Sequence, residues 1–367
     1  MRGILLLVLG SLGMAAIQLP AQTPSPSSSP ATSASPAASS PARQDAPVAN
    51  SLLVNGLTAA DLQAAFGLIK SNFAQPDVIN ETELNRATFQ GLMARLGHGL
   101  MVVPDKASVP APPTTPFYGE ILEDHIGYVR PGSLQNASLQ LLDKKLVEFS
   151  SKKIDGLIID LRNSATDDYT MAAEFAKRFC GRGKTLFTLQ KAGKTQKTFA
   201  SDRDPTFQGL TLVLIDDETI GGAEAVASAI RSLNKVLTIG AATAGGAVEY
   251  ADLPLPSGKI LRVATAEIAG SDGHSLYPNG VKPDLPVELA TADKRQIFQM
   301  SMDRGMGPFV HDPERPHFNE AALLAGTNPE LESAEQRRTR SSDHFPRDAV
   351  LQRALDVITS LEVYQKR

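Results

Sequence analysis

Four hydroxyl side chains stand in or beside short polar or glycine-rich turns that interrupt apolar runs: Ser164, Thr219, Ser228 and Thr243. Such a hydroxyl attacks a carbonyl carbon only if a neighbouring base takes its proton. Neither Thr219-Ile-Gly-Gly-Ala-Glu224 nor Gly240-Ala-Ala-Thr-Ala-Gly-Gly-Ala247 contains a lysine or histidine. Each hydroxyl also has a plain structural use, Thr219 as a helix cap, Ser228 on a helix side, and Thr243 and Ser164 as turn residues. His274, in Gly270-Ser-Asp-Gly-His-Ser275, is expected in a hairpin turn without a partner that would make it a base. His311 and His317 flank Asp312-Pro-Glu-Arg-Pro316 at a spacing that matches no helix-face metal pair. No metal and no cofactor are expected. A single cysteine, Cys180, forms neither an intramolecular disulfide nor a multi-cysteine cluster. Gly181-Arg-Gly-Lys184 lacks phosphate-loop spacing and reads as a helix stop, and Asp216-Asp217-Glu218 reads as favourable charge before the helix that follows.

The elements that must position these residues follow from apolar periodicity. From residue 126 on, strands alternate with helices: strand 126–129, helix 136–150, strand 156–160, helix 168–180, strands 185–188 and 210–215, helix 222–232 and strand 236–239. Apolar strands bounded by helices imply a covered, partly parallel sheet. That sheet is expected to continue through 248–253, 259–267 and 283–287, with turns at Pro256-Ser-Gly258 and Pro278-Asn-Gly280. A helix over 347–364 carries Val350, Leu351, Ala354, Leu355 and Ile358 on one face. Upstream, residues 57–100 fit two short amphipathic helices, the first opened by a Thr58/Asp61 capping box.

The N-terminus reads as an address. Arg2 precedes the apolar run 3–17, and Leu19-Pro20-Ala21 offers a small-residue cleavage site, so 1–21 is expected to be a signal peptide. Residues 22–49 are almost wholly Pro, Ser, Ala, Thr and Gln and read as a flexible tether. The chain of 367 residues carries 36 Lys+Arg against 40 Asp+Glu, a net charge of −4. That charge supplies no basic field for nucleic acid, and no membrane insertion is expected after signal cleavage. The remaining divisions are a helical segment at 50–100, a connector at 101–119, a core at 120–303, an irregular excursion at 304–346 and a closing helix at 347–367.

Ile126-Gly-Tyr-Val, Gly156-Leu-Ile-Ile-Asp-Leu-Arg-Asn163, the segment 213–229, Ile239-Gly240, Pro256-Ser-Gly and Gly280-Val-Lys-Pro-Asp284, in that order, resemble the core of the tail-specific, or C-terminal processing, serine peptidases. The resemblance implies an α/β, crotonase-like core, a mixed sheet with flanking helices, preceded by a small N-terminal helical segment and closed by a C-terminal helix. It implies amide cleavage by a serine with a neutral lysine as base. It also implies where these groups should be. The family's nucleophile turn, of the form Ser-Ala-Ser-Ala-Ser-Glu, corresponds to 219–224, which puts Gly221 at the nucleophile position once Glu224 is matched. The Phe-Gly-Lys-Gly-like stretch of the base corresponds to 240–247, which puts Gly246 at the lysine position, 25 residues on, the family's own spacing. The supporting glutamine becomes Tyr250.

The family's Asn-Pro-Gly-Gly oxyanion turn becomes Ser164-Ala-Thr-Asp167, with Thr166 in the turn and Asp167 and Asp168 bringing carboxylates to where negative charge should develop. Losing one oxyanion donor typically costs about 10²–10³ in rate, and losing nucleophile and base far more. Many relatives insert a PDZ domain between the N-terminal helices and the core. Here only residues 98–125 stand there, and fewer than roughly 40 residues do not make such a domain. The expectation is an exported, non-catalytic member that binds a peptide or protein ligand in the former substrate groove. The alternative is an active serine-type endopeptidase using a displaced hydroxyl, with Thr219, Ser228 or Thr243 as the candidates.

Overall fold

The computed structural model describes residues 54–75, 78, 80–104, 115–233, 236–310 and 345–365. The chain divides into two compact units, one ending at Val78 and one beginning at Ile79. In the first unit, helix α1 (Ala59–Asn72) opens as its sequence dictates: the Thr58 hydroxyl accepts from the Asp61 amide at 3.2 Å, and the Asp61 carboxylate accepts from the Thr58 amide at 2.9 Å.

The second unit begins with helix α2 (Glu81–Leu96), a 3-10 turn over Gly97–Gly99 and strand β1 (Leu100–Val103). Its core is a six-stranded sheet. Strands β2 (Tyr118–Leu122), β3 (Ile126–Arg130) and β4 (Gly156–Asp160) pair in that order, with helix α3 (Asn136–Lys152) crossing between β3 and β4. Next to β4 lie β8 (Leu210–Ile215), β10 (Val236–Gly240) and the short β13 (Leu285–Pro286). All these neighbours are parallel except β2, which is antiparallel to β3.

Period-2 alternation sorts each central strand between two cores. Leu157 and Ile159 of β4 and Val213 and Ile215 of β8 face one side. There they meet Leu142, Leu146 and Phe149 of α3 and the apolar residues of helices α4 (Tyr169–Ala176) and α5 (Gly222–Arg231). Ile158, Leu212 and Leu214 face the other side, against helices α6 (Thr291–Arg304), α7 (Gly307–Val310) and α8 (Ala349–Gln365). Sheets buried on both faces give the continuous apolar runs from which the sequence was readable.

The expectation of one continuous sheet is corrected. Strands β6 (Thr185–Lys191), β7 (Lys194–Ala200), β11 (Val248–Pro254) and β12 (Ile260–Gly270) form a second, antiparallel sheet with β1, and only residues 285–286 of the later segments join the first. Hairpin connections at 192–193 and 255–259 allow antiparallel pairing alone, and β7 is exposed at every position but Phe199. A third, two-stranded element pairs β5 (Ala165–Thr166) with β9 (Ile220–Gly221) in parallel. The expected signal at 1–21, the tether at 22–49 and most of the excursion at 304–346, with His311 and His317, lie outside the described residues. Among the described residues no helix is long and apolar enough to cross a membrane.

A buried polar clamp fixes α8 to the sheet. Arg162 is 1% exposed, and it donates from Nε and Nη2 to Asp160 at 2.9 and 2.6 Å and from Nη1 and Nη2 to Asp348 at 2.9 and 2.8 Å. Tyr128 adds its hydroxyl to Asp160 at 2.7 Å, and Asp348 caps α8 by accepting from the Leu351 amide at 3.0 Å.

Candidate functional site

Strand β9 runs directly into helix α5, and the residue at the bend is Gly221, with φ 67° and ψ −123°. This is a sharp strand-to-helix elbow in a conformation that side-chain-bearing residues rarely adopt. The elbow is set by the parallel β5–β9 pair and by the Ile220 amide, which donates to the Ser164 carbonyl at 3.0 Å. The structure thus brings the two turns singled out in the sequence, 164–167 and 219–224, into contact.

Glu224, in the first turn of α5, is fully buried. Its Oε2 accepts from the amides of Gly221 at 2.9 Å and Gly246 at 2.8 Å, and its Oε1 accepts from the Gly245 amide at 2.7 Å and the Thr243 hydroxyl at 2.6 Å. Four donors and no cation surround this carboxylate. Burial pushes its pKa up, and the hydrogen bonds from Thr243 and from the three glycine amides only partly counter that. Gly221 and Gly246, the positions implied for nucleophile and base, are therefore held by one oxygen atom.

The space beside both glycines is taken. A Cβ at position 221 would stand 2.7 Å from the Thr166 carbonyl oxygen, and one at 246 would stand 2.7 Å from Cγ1 of Ile220. The same point at 246 lies 3.5 Å from Cγ of His98, so a histidine ring flanks the position of the missing lysine. Its placement is specific. The Tyr250 hydroxyl donates to the His98 carbonyl at 2.9 Å and the Tyr277 hydroxyl to the Leu96 carbonyl at 2.6 Å, pinning the 97–99 turn. Tyr250, which stands where a supporting glutamine was implied, thus serves the 3-10 turn. Its ring also lies 5.4 Å from the Arg262 guanidinium carbon, and burial pushes its pKa up to about 12.

Of the remaining hydroxyls, Thr219, Thr243 and Ser164 are committed or enclosed. Thr219 is fully buried, donates to the Leu161 carbonyl at 2.9 Å and accepts from the Asp216 amide at 3.1 Å. Thr243 is spent on Glu224 while accepting from the Val281 amide at 2.8 Å. Ser164 is fully buried with no partner for its Oγ. Ser228 faces the hairpin, with its Oγ 2.8 Å from where a Cβ on Gly270 would stand. His274 is exposed in that hairpin and lies 3.3 Å from Asp272.

Two expectations about carboxylates are corrected. Asp168 does not face the elbow freely, because its carboxylate caps α4, accepting from Thr170 and Met171 at 2.8 and 3.0 Å. Only Asp167 remains, with Oδ1 3.8 Å from a Cβ at 221. Asp216 and Glu218 do not serve the α5 N-terminus. They clasp α6, Asp216 pairing with buried Lys294, and Glu218 pairing with Lys294 at 2.7 Å and Arg295 at 2.6 Å. Charge partners on a distant helix outcompete a macrodipole worth less than about 1 kcal/mol at such sites. Sequence reasoning missed His98, Ile220 and the bridging role of Glu224; only Glu224 carried a signal, as the acid ending the nucleophile-like turn.

A largely parallel sheet thus carries a strand-to-helix elbow that faces a glycine turn. Residues 125–287 match the model of peptidase family S41, so the core of this chain is similar to that family. It is 23% identical over 177 residues to the carboxy-terminal processing protease CtpA of Bacillus subtilis, a match that takes in 48% of this chain and 38% of that protein. A CtpA-like serine protease of Staphylococcus aureus is 22% identical over 166 residues, 44% of this chain and 33% of its own length. The matched region thus spans well under half the length of these relatives. Among solved structures, one from Parabacteroides merdae described as a candidate peptidase has a TM-score of 0.50 at 17% identity, covering 65% of this chain and 85% of that one, a likeness of fold.

Proposed function

We propose that this chain is an exported, non-cleaving member of family S41 that binds polypeptide and does not hydrolyse it. One observation carries the reading. The two positions implied for nucleophile and base are glycines tied to the same Glu224 oxygen, and their side-chain space is filled by the Thr166 carbonyl and Ile220. Neither Thr219 nor Thr243 supports the alternative of an active endopeptidase. Thr219 and Thr243 donate to buried acceptors, and Ser164 is enclosed in the core. His98 has the chemistry of a base, but it flanks Gly246, which has no hydroxyl to offer it.

Export is supported by the Arg2-led apolar run and the small-residue site after it. A fluorophosphonate label mapped by mass spectrometry tests the catalytic half. The expected result is no adduct between 164 and 250, and an adduct on Thr219, Ser228 or Thr243 that forms only in the folded protein would establish the active alternative.

A further inference from the structure

The segment that carries His98 is joined to the core by little besides hydrogen bonds. Across Glu81–Val103 the one buried residue is Gly99, which has no side chain to pack. No residue of α2 is buried, and its Leu92 and Leu96 stand 46% and 41% exposed. A helix of this length without a packed face is marginal in water, so its attachment falls to the residues that follow it. β1 pairs with β12 over four residues, from Leu100 opposite Val263 to Val103 opposite Ile260. The turn between α2 and β1 hangs on two phenol hydroxyls, Tyr250 on the His98 carbonyl at 2.9 Å and Tyr277 on the Leu96 carbonyl at 2.6 Å. Both tyrosines are themselves only half-buried.

This lightly held turn is also what covers the elbow from the side of the glycine turn. The His98 ring stands 3.5 Å from where a Cβ on Gly246 would lie, and Gly246 shares its carboxylate oxygen with the elbow residue Gly221. A glycine stands on each side of the histidine. Gly97 has φ 49° and ψ −123°, with no atom within 4 Å of where its Cβ would point, so it can pivot freely. Gly99 has no such room, because a Cβ there would collide with the Tyr277 hydroxyl. A free pivot thus precedes the histidine and a docked glycine follows it. Segments with few buried apolar contacts open at a fraction of the cost of global unfolding, and lids are drawn from them.

We infer that residues 81–99 form a hinged lid, with His98 as its tongue, that closes the elbow until an extended polypeptide displaces it. The inference rests on the reading of the chain as a polypeptide binder and deepens it: the covered elbow is the resting state, and the affinity is set by how readily the 97–99 turn leaves.

The test is fluorescence anisotropy on the full chain with fluorescein-labelled, reduced and carboxymethylated α-lactalbumin as the unfolded polypeptide, joined to hydrogen exchange on the same samples. A Tyr250→Phe, Tyr277→Phe variant loses both hydroxyl bonds and keeps both rings, and it should bind the probe about tenfold or more tightly than the wild-type chain. His98→Ala, which withdraws the ring and leaves both bonds in place, should fall between the two. In the wild-type chain, saturating probe should speed amide exchange at 96–100 while strand 210–215 is unchanged. Equal or weaker affinity in both variants, or exchange at 96–100 that the probe slows, overturns the lid and leaves polypeptide binding standing. Absence of binding by all three chains overturns the lid together with the binding on which it rests. Neither failure bears on the fluorophosphonate result, so the loss of the lid and the loss of the non-cleaving reading are told apart.

Discussion

Gly221 and Gly246 lie 25 positions apart in the chain, yet their amides converge on one atom, Oε2 of Glu224, at 2.9 and 2.8 Å. The elbow and the glycine turn opposite it are thus a single hydrogen-bonded unit. In this chain the unit carries no side chain at the positions the family resemblance assigns to chemistry.

Restoring those side chains should not restore hydrolysis. Gly221→Ser must adopt φ 67° and push the Thr166 carbonyl from 2.7 Å, and Gly246→Lys must displace Ile220. The double variant is expected to lose about 2 kcal/mol or more of stability through strain and overpacking, and to show no turnover of an unfolded protein substrate. Urea denaturation and a gel-based cleavage assay check both outcomes. A stable, active double variant would show that the turns yield readily.

Glu224→Gln should be far costlier than its isosteric shape suggests. One end of the amide presents N–H groups to donors that now find an acceptor, leaving two buried donors without partners, either the Gly221 and Gly246 amides or the Gly245 amide and the Thr243 hydroxyl. At about 1–3 kcal/mol for each orphaned group, the loss is about 2–6 kcal/mol by denaturant titration. Hydrogen exchange should localise it to 219–224 and 243–246.

Much of this frame was legible before any coordinates, and what was not has a physical cause. The strands at 156–160 and 210–215 and the helices at 136–152 and 222–231 announce themselves because both faces or one whole stripe are apolar. β7, with the sequence Lys-Thr-Gln-Lys-Thr-Phe-Ala, is nearly all exposed and β5 and β9 have two residues each, so periodicity had nothing to act on. α6 buries Lys294 and Ser301 beside Ile297 and Phe298, which blurs its pattern. At the site, the glycine positions were readable from spacing. His98 was not, because the Tyr250 and Tyr277 hydroxyls that pin its turn stand 152 and 181 residues downstream of the carbonyls they bond.

Asp348→Ala should detach α8. It removes two hydrogen bonds to buried Arg162 and the cap on Leu351, and breaking such a buried pair costs about 3–5 kcal/mol. Faster amide exchange confined at first to 349–361 is the expected signature, with Asp348→Asn intermediate. A loss below about 1 kcal/mol would mean that the clamp adds little to the apolar packing.

Acid should unfold the protein through the same cluster. Burial alone would raise the Asp160 carboxyl, but Arg162, the Tyr128 hydroxyl and Arg130 together hold it below the usual carboxylate range. A carboxylate with a depressed folded-state pKa contributes stability that is present above about pH 4 and lost as the pH falls below it. Tyr128→Phe removes one of those hydrogen bonds, so the midpoint of acid unfolding followed by circular dichroism should move to higher pH. Glu224 works in the opposite sense. Its raised pKa means that its contribution weakens as the pH rises above about 4.5, so Glu224→Gln should reduce the loss of stability between acid and neutral pH.

The most direct test is a cleavage assay of the purified full chain against an unstructured protein substrate, run beside Thr219→Ala and His98→Ala variants purified in the same way. Glycines at 221 and 246 predict no product above the buffer control in any of the three. Product formed by the wild-type chain and abolished in either variant would show that an amide bond is cut here by groups other than the two the family spacing marks.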